Sequence, residues 1–166
     1  MPILYVGSDP GSQGAAAVLR EDGRIHSVCR YEKCTLPDIA EFFRELSGPD
    51  NELVVMTEQV GSRPGQGVRS MFTFGRNMGH IEGILTALQI PYDMVTPQAW
   101  QRRLGVPTKA KDETKDQHKK KVRQFAQQRR WPKYNVTADI ADALLIADYA
   151  RRLDRGSLPN LSQKKR

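Results

Sequence analysis

The sequence has 166 residues, two cysteines and a formal net charge of +7. Its length favours one domain, and two cysteines are too few for a disulfide framework or a complete zinc site. No apolar run approaches the roughly 20 residues of a membrane span, so we expect a cytoplasmic protein without a membrane partner.

The first third of the chain predicts three strands and a helix. Residues 3–8, 14–20 and 24–30 have strand character, and Asp22-Gly23 supplies a turn between the second and third strands. Thr35-Leu-Pro-Asp38 has the form of a capping box, and apolar residues follow at helical spacing until Gly48-Pro49. Residues 53–58 then form a short apolar run that is typical of a buried strand and ends at Glu58.

The rest of the chain alternates helices with one more strand. A Gly/Ser/Arg/Pro loop at residues 61–67 precedes a long helix to about residue 89, and residues 90–96 read as a fifth strand. Thr96-Pro97 begins another helix, and residues 138–153 form the last. We predict one mixed α/β domain over residues 1–155, followed by a basic tail at 156–166 that we expect to be disordered.

Positive charge is concentrated in residues 98–134. This segment holds twelve Lys/Arg and three Asp/Glu, an excess of nine positive charges, so the remainder of the chain is slightly acidic. Phosphate contacts dominate the affinity of proteins for nucleic acids, and such a block indicates a polyanion partner. A solvent-exposed helix face with a basic bias is an equally good interpretation of the charge alone.

Two carboxylates are predicted at strand ends. Asp9 lies where the first strand meets Pro10-Gly11, although an Asp before Pro-Gly is more commonly a turn residue. Glu58 ends a run of Leu, Val, Val and Met, where an unpaired glutamate is disfavoured. A bound cation is one partner that would make this position tolerable.

Two more carboxylates lie near the start of the last helix. Asp139 and Asp142 are three residues apart and therefore share one helix face. Each alone is better explained as a helix-dipole partner or an exposed residue. Together with Asp9 and Glu58 they predict an oxygen-rich cage for two Mg²⁺ or Mn²⁺ ions that would hydrolyse a phosphodiester.

The long helix has two different faces. Ile81, Ile84, Leu85 and Leu88 form an apolar face that we expect to pack on the sheet. Nearly opposite lies a stripe of small residues: Gly75, Gly79, Gly83 and Ala87. Glycine inside a helix costs roughly 0.5–1 kcal/mol relative to alanine, so the stripe indicates a close neighbour. The glycines are simply tolerated, or the neighbour is another helix of the chain, or it is a second copy of this helix across a two-fold dimer axis, which we favour.

The sequence resembles the RuvC family of Holliday junction resolvases, especially phage-like members. The resemblance rests on three motifs in order along the chain, Gly7-Ser-Asp-Pro-Gly11, Thr57-Glu-Gln-Val60 and Ala138-Asp-Ile-Ala-Asp-Ala-Leu-Leu-Ile-Ala147. It implies an RNase H-like fold, a five-stranded mixed sheet with helices on both faces, and a homodimer. It also implies that Asp9, Glu58, Asp139 and Asp142 bind metal and that Lys115 acts near the scissile phosphate.

The chain departs from the family at two places. Gly61 follows the Glu-Gln-Val stretch where an aromatic residue is common, so Phe72 or Phe74 is our candidate for the junction centre. A helix lysine of the family is replaced here by residues such as Trp100, Arg102 and Arg103. We predict the following DNA-binding residues: Arg63, Arg69, Phe72, Phe74, Arg76, Arg102, Arg103, Lys109, Lys111, Lys119, Lys120 and Lys121.

The function indicated by these features is that of a metal-dependent endodeoxyribonuclease that makes paired nicks in four-way or branched DNA. One alternative is an RNase H-type nuclease that acts on RNA–DNA hybrids. Another is a non-catalytic module that binds branched DNA, which four such acids argue against. A sugar-kinase or actin-like ATPase would need two domains of this kind, and the chain is too short for that.

Overall fold

The structure, a computed structural model, describes residues 1–59, 61 and 67–158. Its five strands are β1 (Ile3–Asp9), β2 (Ala15–Arg20), β3 (Ile25–Arg30), β4 (Glu52–Glu58) and β5 (Tyr92–Val95). Its five α-helices are α1 (Leu36–Leu46), α2 (Val68–Ala87), α3 (Pro97–Leu104), α4 (Lys115–Arg129) and α5 (Ala138–Asp154).

The strands form one mixed sheet in the order β3-β2-β1-β4-β5. The first three strands are an antiparallel meander, and β4 and β5 extend the sheet in parallel to β1. Two-residue alternation of side chains means that residues paired across neighbouring strands face the same side of the sheet. The fifth strand is shorter than the sequence predicted, because regular pairing covers only the residues opposite the C-terminal half of β4.

One face of the sheet is covered by α5, which is buried around nearly its whole circumference from Ile140 to Ala150. It packs directly on β1 at Gly7, where an added Cβ atom would lie only 2.2 Å from the backbone oxygen of Ala143. Only glycine permits this approach, and it brings the start of α5 over the end of β1. The helices α3 and α4 pack beside α5 around the same core, which includes Trp100 and Val122.

The other face is covered by α1 and α2. Ile39 and Phe43 of α1 and Ile81 and Leu85 of α2 are buried against Val6 and the neighbouring strands. The predicted apolar face of α2 therefore does pack on the sheet. Helices thus lie on both faces of a five-stranded mixed sheet, and the predicted RNase H-like architecture is confirmed.

Threonine side chains cap the N-terminal ends of three of these helices. The side chains of Thr35, Thr96 and Thr114 each accept a hydrogen bond from a backbone N–H in the first turn of α1, α3 and α4, respectively. Such caps satisfy donors that the helix itself leaves unpaired. The predicted capping box at Thr35 is present and is completed by Asp38.

Among the described residues, none of the helices has the length and apolar character needed to cross a membrane.

Candidate active site

A row of residues at one end of the sheet places the first two acids. Arg30 of β3 pairs with Ala15 of β2, and Ala15 pairs with Asp9 of β1. On the other side of β1, Ser8 pairs with Thr57 of β4, so the next residue of β4, Glu58, lies beside Asp9. Glu58 itself pairs with Val95 of β5. Paired residues share a face, so Arg30, Ala15, Asp9 and Glu58 all face α5.

Asp142, near the start of α5, is close enough to Asp9 for the two charges to interact. Desolvation by burial, followed by the charge of Asp9, raises the pKa of Asp142 to about 7. Desolvation also raises the pKa of Asp9, opposed by a hydrogen bond from the backbone N–H of Gly11 to Oδ1 at 3.0 Å and by the charge of Lys119. The structure therefore brings two half-buried carboxyl groups together beside one lysine, an arrangement that disfavours double ionisation without a further cation.

Glu58 is buried, with 7% of its surface exposed. Its Oε1 atom accepts a hydrogen bond of 2.8 Å from Nε1 of Trp100. Trp100 is fully buried in the core beneath α3, so its indole N–H is a fixed donor. This donor is neutral and satisfies one carboxylate oxygen without cancelling the charge, as outer-shell partners of metal-binding carboxylates do.

Asp139 differs from Asp9 and Asp142 because it has a cationic partner. Its Oδ2 atom accepts a hydrogen bond of 2.7 Å from Nε of Arg30. Desolvation acts to raise the pKa of Asp139, but hydrogen bonds from Thr137, the backbone and Arg30 outweigh it, so the pKa lies below its ordinary value. The predicted cage is therefore divided: Asp9 and Asp142 form a pair, and Asp139 is ion-paired.

Asp9, Asp139 and Asp142 lie in an open cleft of about 1020 Å³ between the end of the sheet and the start of α2. Its charged lining consists of four acidic and four basic residues: Asp9, Glu32, Asp139 and Asp142, with Arg30, Lys33, Arg69 and Lys119. Phe74 also lines it, whereas Phe72, two residues earlier on the same helix, is 69% exposed. The described lining has no formal net charge, so added divalent cations would make the cleft positive.

The two candidate lysines of α4 are placed differently. Lys115 is exposed at the start of the helix, and Lys119, one turn later, lines the cleft and lowers the pKa values of both Asp9 and Asp142. Helical spacing puts both on one face. The predicted catalytic role of Lys115 is untested, but Lys119 is the lysine that the structure brings to the acids.

The other predicted DNA-binding residues are spread over the surface. Arg76, Arg102, Lys109, Lys111 and Lys120 are exposed. Two more have partners within the chain: Lys121 forms an ion pair of 2.8 Å with Glu113, and Arg103 lies 5.9 Å from the ring centre of Tyr149. Arg63 lies outside the described residues.

Two functional features were missed from sequence. In the sequence, Arg30 is recognisable only as the last residue of a strand. Its partner Asp139 lies 109 residues away along the chain, so no local pattern joins the two. Trp100 stands out as a large apolar residue in a basic segment, which was a signal of burial. Its hydrogen bond to Glu58 depends on how α3 docks beside β4.

The described residues contain no group of three Asp, Glu, His or Cys side chains that is already arranged to hold a metal ion. The donor chemistry nevertheless fits a hard divalent cation, because the carboxyl groups of Asp9 on β1 and Asp142 on α5 are close enough to interact and Glu58 of β4 lies beside Asp9 at the same end of the sheet. A metal would have to draw these acids closer together.

No protein-family model and no curated protein sequence matches this chain. Solved structures do match. A Thermus thermophilus RuvC structure aligns over 97% of this chain and 100% of its own, with a TM-score of 0.57 and 16% identity. T. thermophilus RuvC in complex with a Holliday junction substrate aligns over 96% and 99%, with a TM-score of 0.53 and 15% identity. The chain therefore has a RuvC-like fold, as its motifs predicted.

Proposed function

We propose that this chain is a metal-dependent endonuclease that resolves four-way DNA junctions. The observation that carries the proposal is the pair of half-buried, desolvated carboxyl groups, Asp9 and Asp142, in a cleft that Lys119 and Arg69 also line. Placing two like charges together away from water destabilises a fold, so such a pair is better explained by function than by stability.

Asp9, Asp142 and Glu58 are the residues that would hold Mg²⁺ or Mn²⁺, and Asp139 would join them if it left Arg30. When bound there, two such ions supply Lewis-acid activation of water and stabilise the leaving oxygen of a phosphodiester. The chain's own contribution is to fix the carboxylates: Gly11 and Trp100 each donate a hydrogen bond to one of them. The strand ends would thus hold Asp9 and Glu58 near one another before a metal draws the acids closer together.

Positive side chains of the cleft would bind the DNA backbone. Lys33, Arg69 and Lys119 lie along its lining, and Lys120 and Arg76 are exposed nearby in sequence. Since the cleft has no formal net charge before metal binds, we expect the metal to strengthen DNA binding. Lys119→Ala should lower the cleavage rate more than the junction affinity, and Lys115→Ala tests whether that lysine has the same role.

Two copies of the chain would place two active sites on a branched substrate. A groove of about 360 Å³ between α1 and α2 is lined by Gly79, Gly83 and Leu36. Among the described residues, no atom lies within 4 Å of a Cβ built on Gly75, Gly79 or Gly83, so α1 does not fill the stripe. We propose that α2 of a second copy packs there, giving a homodimer for the paired nicks.

The direct test is cleavage of a synthetic four-way junction with Mg²⁺ or Mn²⁺, with a linear duplex and an RNA–DNA hybrid as comparisons. We expect paired nicks in the junction only. Asp9→Asn and Asp142→Asn should abolish cleavage but still bind the junction, and Asp93→Asn on β5 is a matched control that should change neither. Preferential cleavage of the hybrid would indicate an RNase H activity. Binding without cleavage by the wild-type protein would indicate a non-catalytic module.

A further inference from the structure

Arg30 is a cation inside the acidic end of the cleft. It is the last residue of β3 and lies in the cross-strand row that contains Asp9. Ala15 separates the two, and its side chain is only a methyl group. Neighbouring strands are about 4.8 Å apart, so Arg30 and Asp9 are about two strand spacings apart, within the reach of a long arginine side chain.

The contacts of Arg30 are those of a residue that can change partners. Its Nε atom donates to Oδ2 of Asp139 at 2.7 Å, and its Nη2 atom donates to the hydroxyl of Thr137 at 3.4 Å. The side chains of Arg30 and Asp139 are 30% and 22% exposed, so the pair borders solvent in the cleft and is not locked in the core. Partly exposed ion pairs of this kind add little to stability.

Arg30 is ion-paired with Asp139, a carboxylate that could otherwise bind a divalent cation. Asp139 is one helical turn before Asp142, so a cation held by Asp9 and Asp142 lies close to it. A guanidinium group and a metal ion near the same carboxylate repel each other, and binding of one weakens binding of the other. Once displaced, Arg30 would remain in a cleft that the metal has made positive, where a phosphodiester is the acceptor that fits its planar array of donors.

We propose that Arg30 is a positioning residue that competes with the divalent cation for Asp139 and binds a DNA phosphate once the cation has taken Asp139. This inference rests on the proposed function, because it assumes that the cleft binds metal and DNA. On this proposal the metal and the DNA bind cooperatively. Metal binding releases the side chain of Arg30 for a phosphate, and DNA binding holds that side chain away from Asp139.

The test measures Mn²⁺ affinity of the DNA-free protein by calorimetry. Arg30→Gln should bind Mn²⁺ at least about fivefold more tightly than the wild-type protein, since a competitor has been removed. Arg30→Lys keeps the charge and should stay close to wild type. Arg24→Gln is the matched control, because Arg24 pairs with Asp22 at 3.5 Å on the same hairpin but is 84% exposed outside the cleft.

A second readout uses the junction. Arg30→Gln should raise the KM for junction cleavage more than it changes kcat. The variant should therefore bind the junction more weakly, although it binds the metal more tightly. In an Asp139→Asn background, Arg30→Gln should no longer tighten Mn²⁺ binding. If the wild-type protein binds Mn²⁺ and Arg30→Gln binds it no more tightly, the proposed role of Arg30 is overturned but the proposed function is not. A wild-type protein that binds no divalent metal would instead overturn the proposed function.

Discussion

Asparagine in place of Asp142 should stabilise the metal-free protein. Burial, and then the charge of Asp9, raises the pKa of Asp142 from 3.8 to about 7. A raised carboxyl pKa means that the folded state holds the proton more tightly than the unfolded chain. The free energy of unfolding therefore falls as the pH rises from about 4 to about 7, and above that range Asp142 is a destabilising charge.

The size of the effect follows from the displacement of the pKa. A change from 3.8 to about 7 corresponds to at most about 4 kcal/mol. Relaxation and water penetration reduce such costs in real proteins, so we expect Asp142→Asn to raise the free energy of unfolding by about 2 kcal/mol at pH 8. For a chain of this length that is about 4–8 °C in Tm. At pH 4 the difference should be small, because Asp142 is then protonated in the folded protein.

Urea unfolding with EDTA at pH 4 and pH 8 measures both values. Asp93→Asn, which alters an exposed aspartate on β5, is the control and should show no such dependence on pH. Adding Mg²⁺ or Mn²⁺ at pH 8 should stabilise the wild-type protein and have much less effect on Asp142→Asn. A variant that is less stable than wild type at pH 8, or a difference that does not depend on pH, would refute the idea of two repelling carboxylates.

Three other substitutions test the dimer, the DNA contacts and the packing of α5. Gly79→Leu should convert the dimer to a monomer in light scattering, and Gln128→Leu on α4 should leave the mass unchanged. Replacing Lys119 and Lys120 with Ala should reduce the slope of log affinity against log salt by about two units, one per phosphate contact, and an unchanged slope would place both away from DNA. Gly7→Ala should lower the free energy of unfolding by about 2 kcal/mol or more, since its methyl group would meet the α5 backbone; wild-type stability would contradict that packing.

The fold was predictable because its signals are local. Alternation and turn residues identified the meander, and the capping box at Thr35 marked the start of α1. The motif around Asp9 and the one around Asp142 indicated that strand ends and α5 meet. Gly7 was a further signal that the sequence analysis did not use, because a glycine within a buried strand indicates a close approach of another backbone.

The partners of the acids were not predictable, because they depend on how elements dock. Lys115 and Lys119 share one face of α4, so which of them lies beside the acids is decided by the position of α4 along its axis against α5, which helical spacing leaves open. The hydrogen bond from Trp100 to Glu58 and the ion pair of Arg30 with Asp139 join residues 42 and 109 positions apart. Sequence motifs thus predicted the carboxylates, and the tertiary structure shows which of them has an arginine partner and which face one another.

The two ends of α5 show why such a site is tolerated. At its C-terminal half, Asp148 is 2% exposed and lies within 2.8–3.4 Å of the guanidinium groups of Arg130, Arg151 and Arg152. A buried carboxylate there has more positive charge than it needs, while Asp142 at the other end faces a second carboxylate. Because α5 is anchored by its apolar surroundings and by the arginines, its N-terminal end can hold a repelling charge without detaching from the sheet. In the function that we propose, a divalent cation bound at this end would remove the repulsion, so occupancy of the site would increase the stability of the domain.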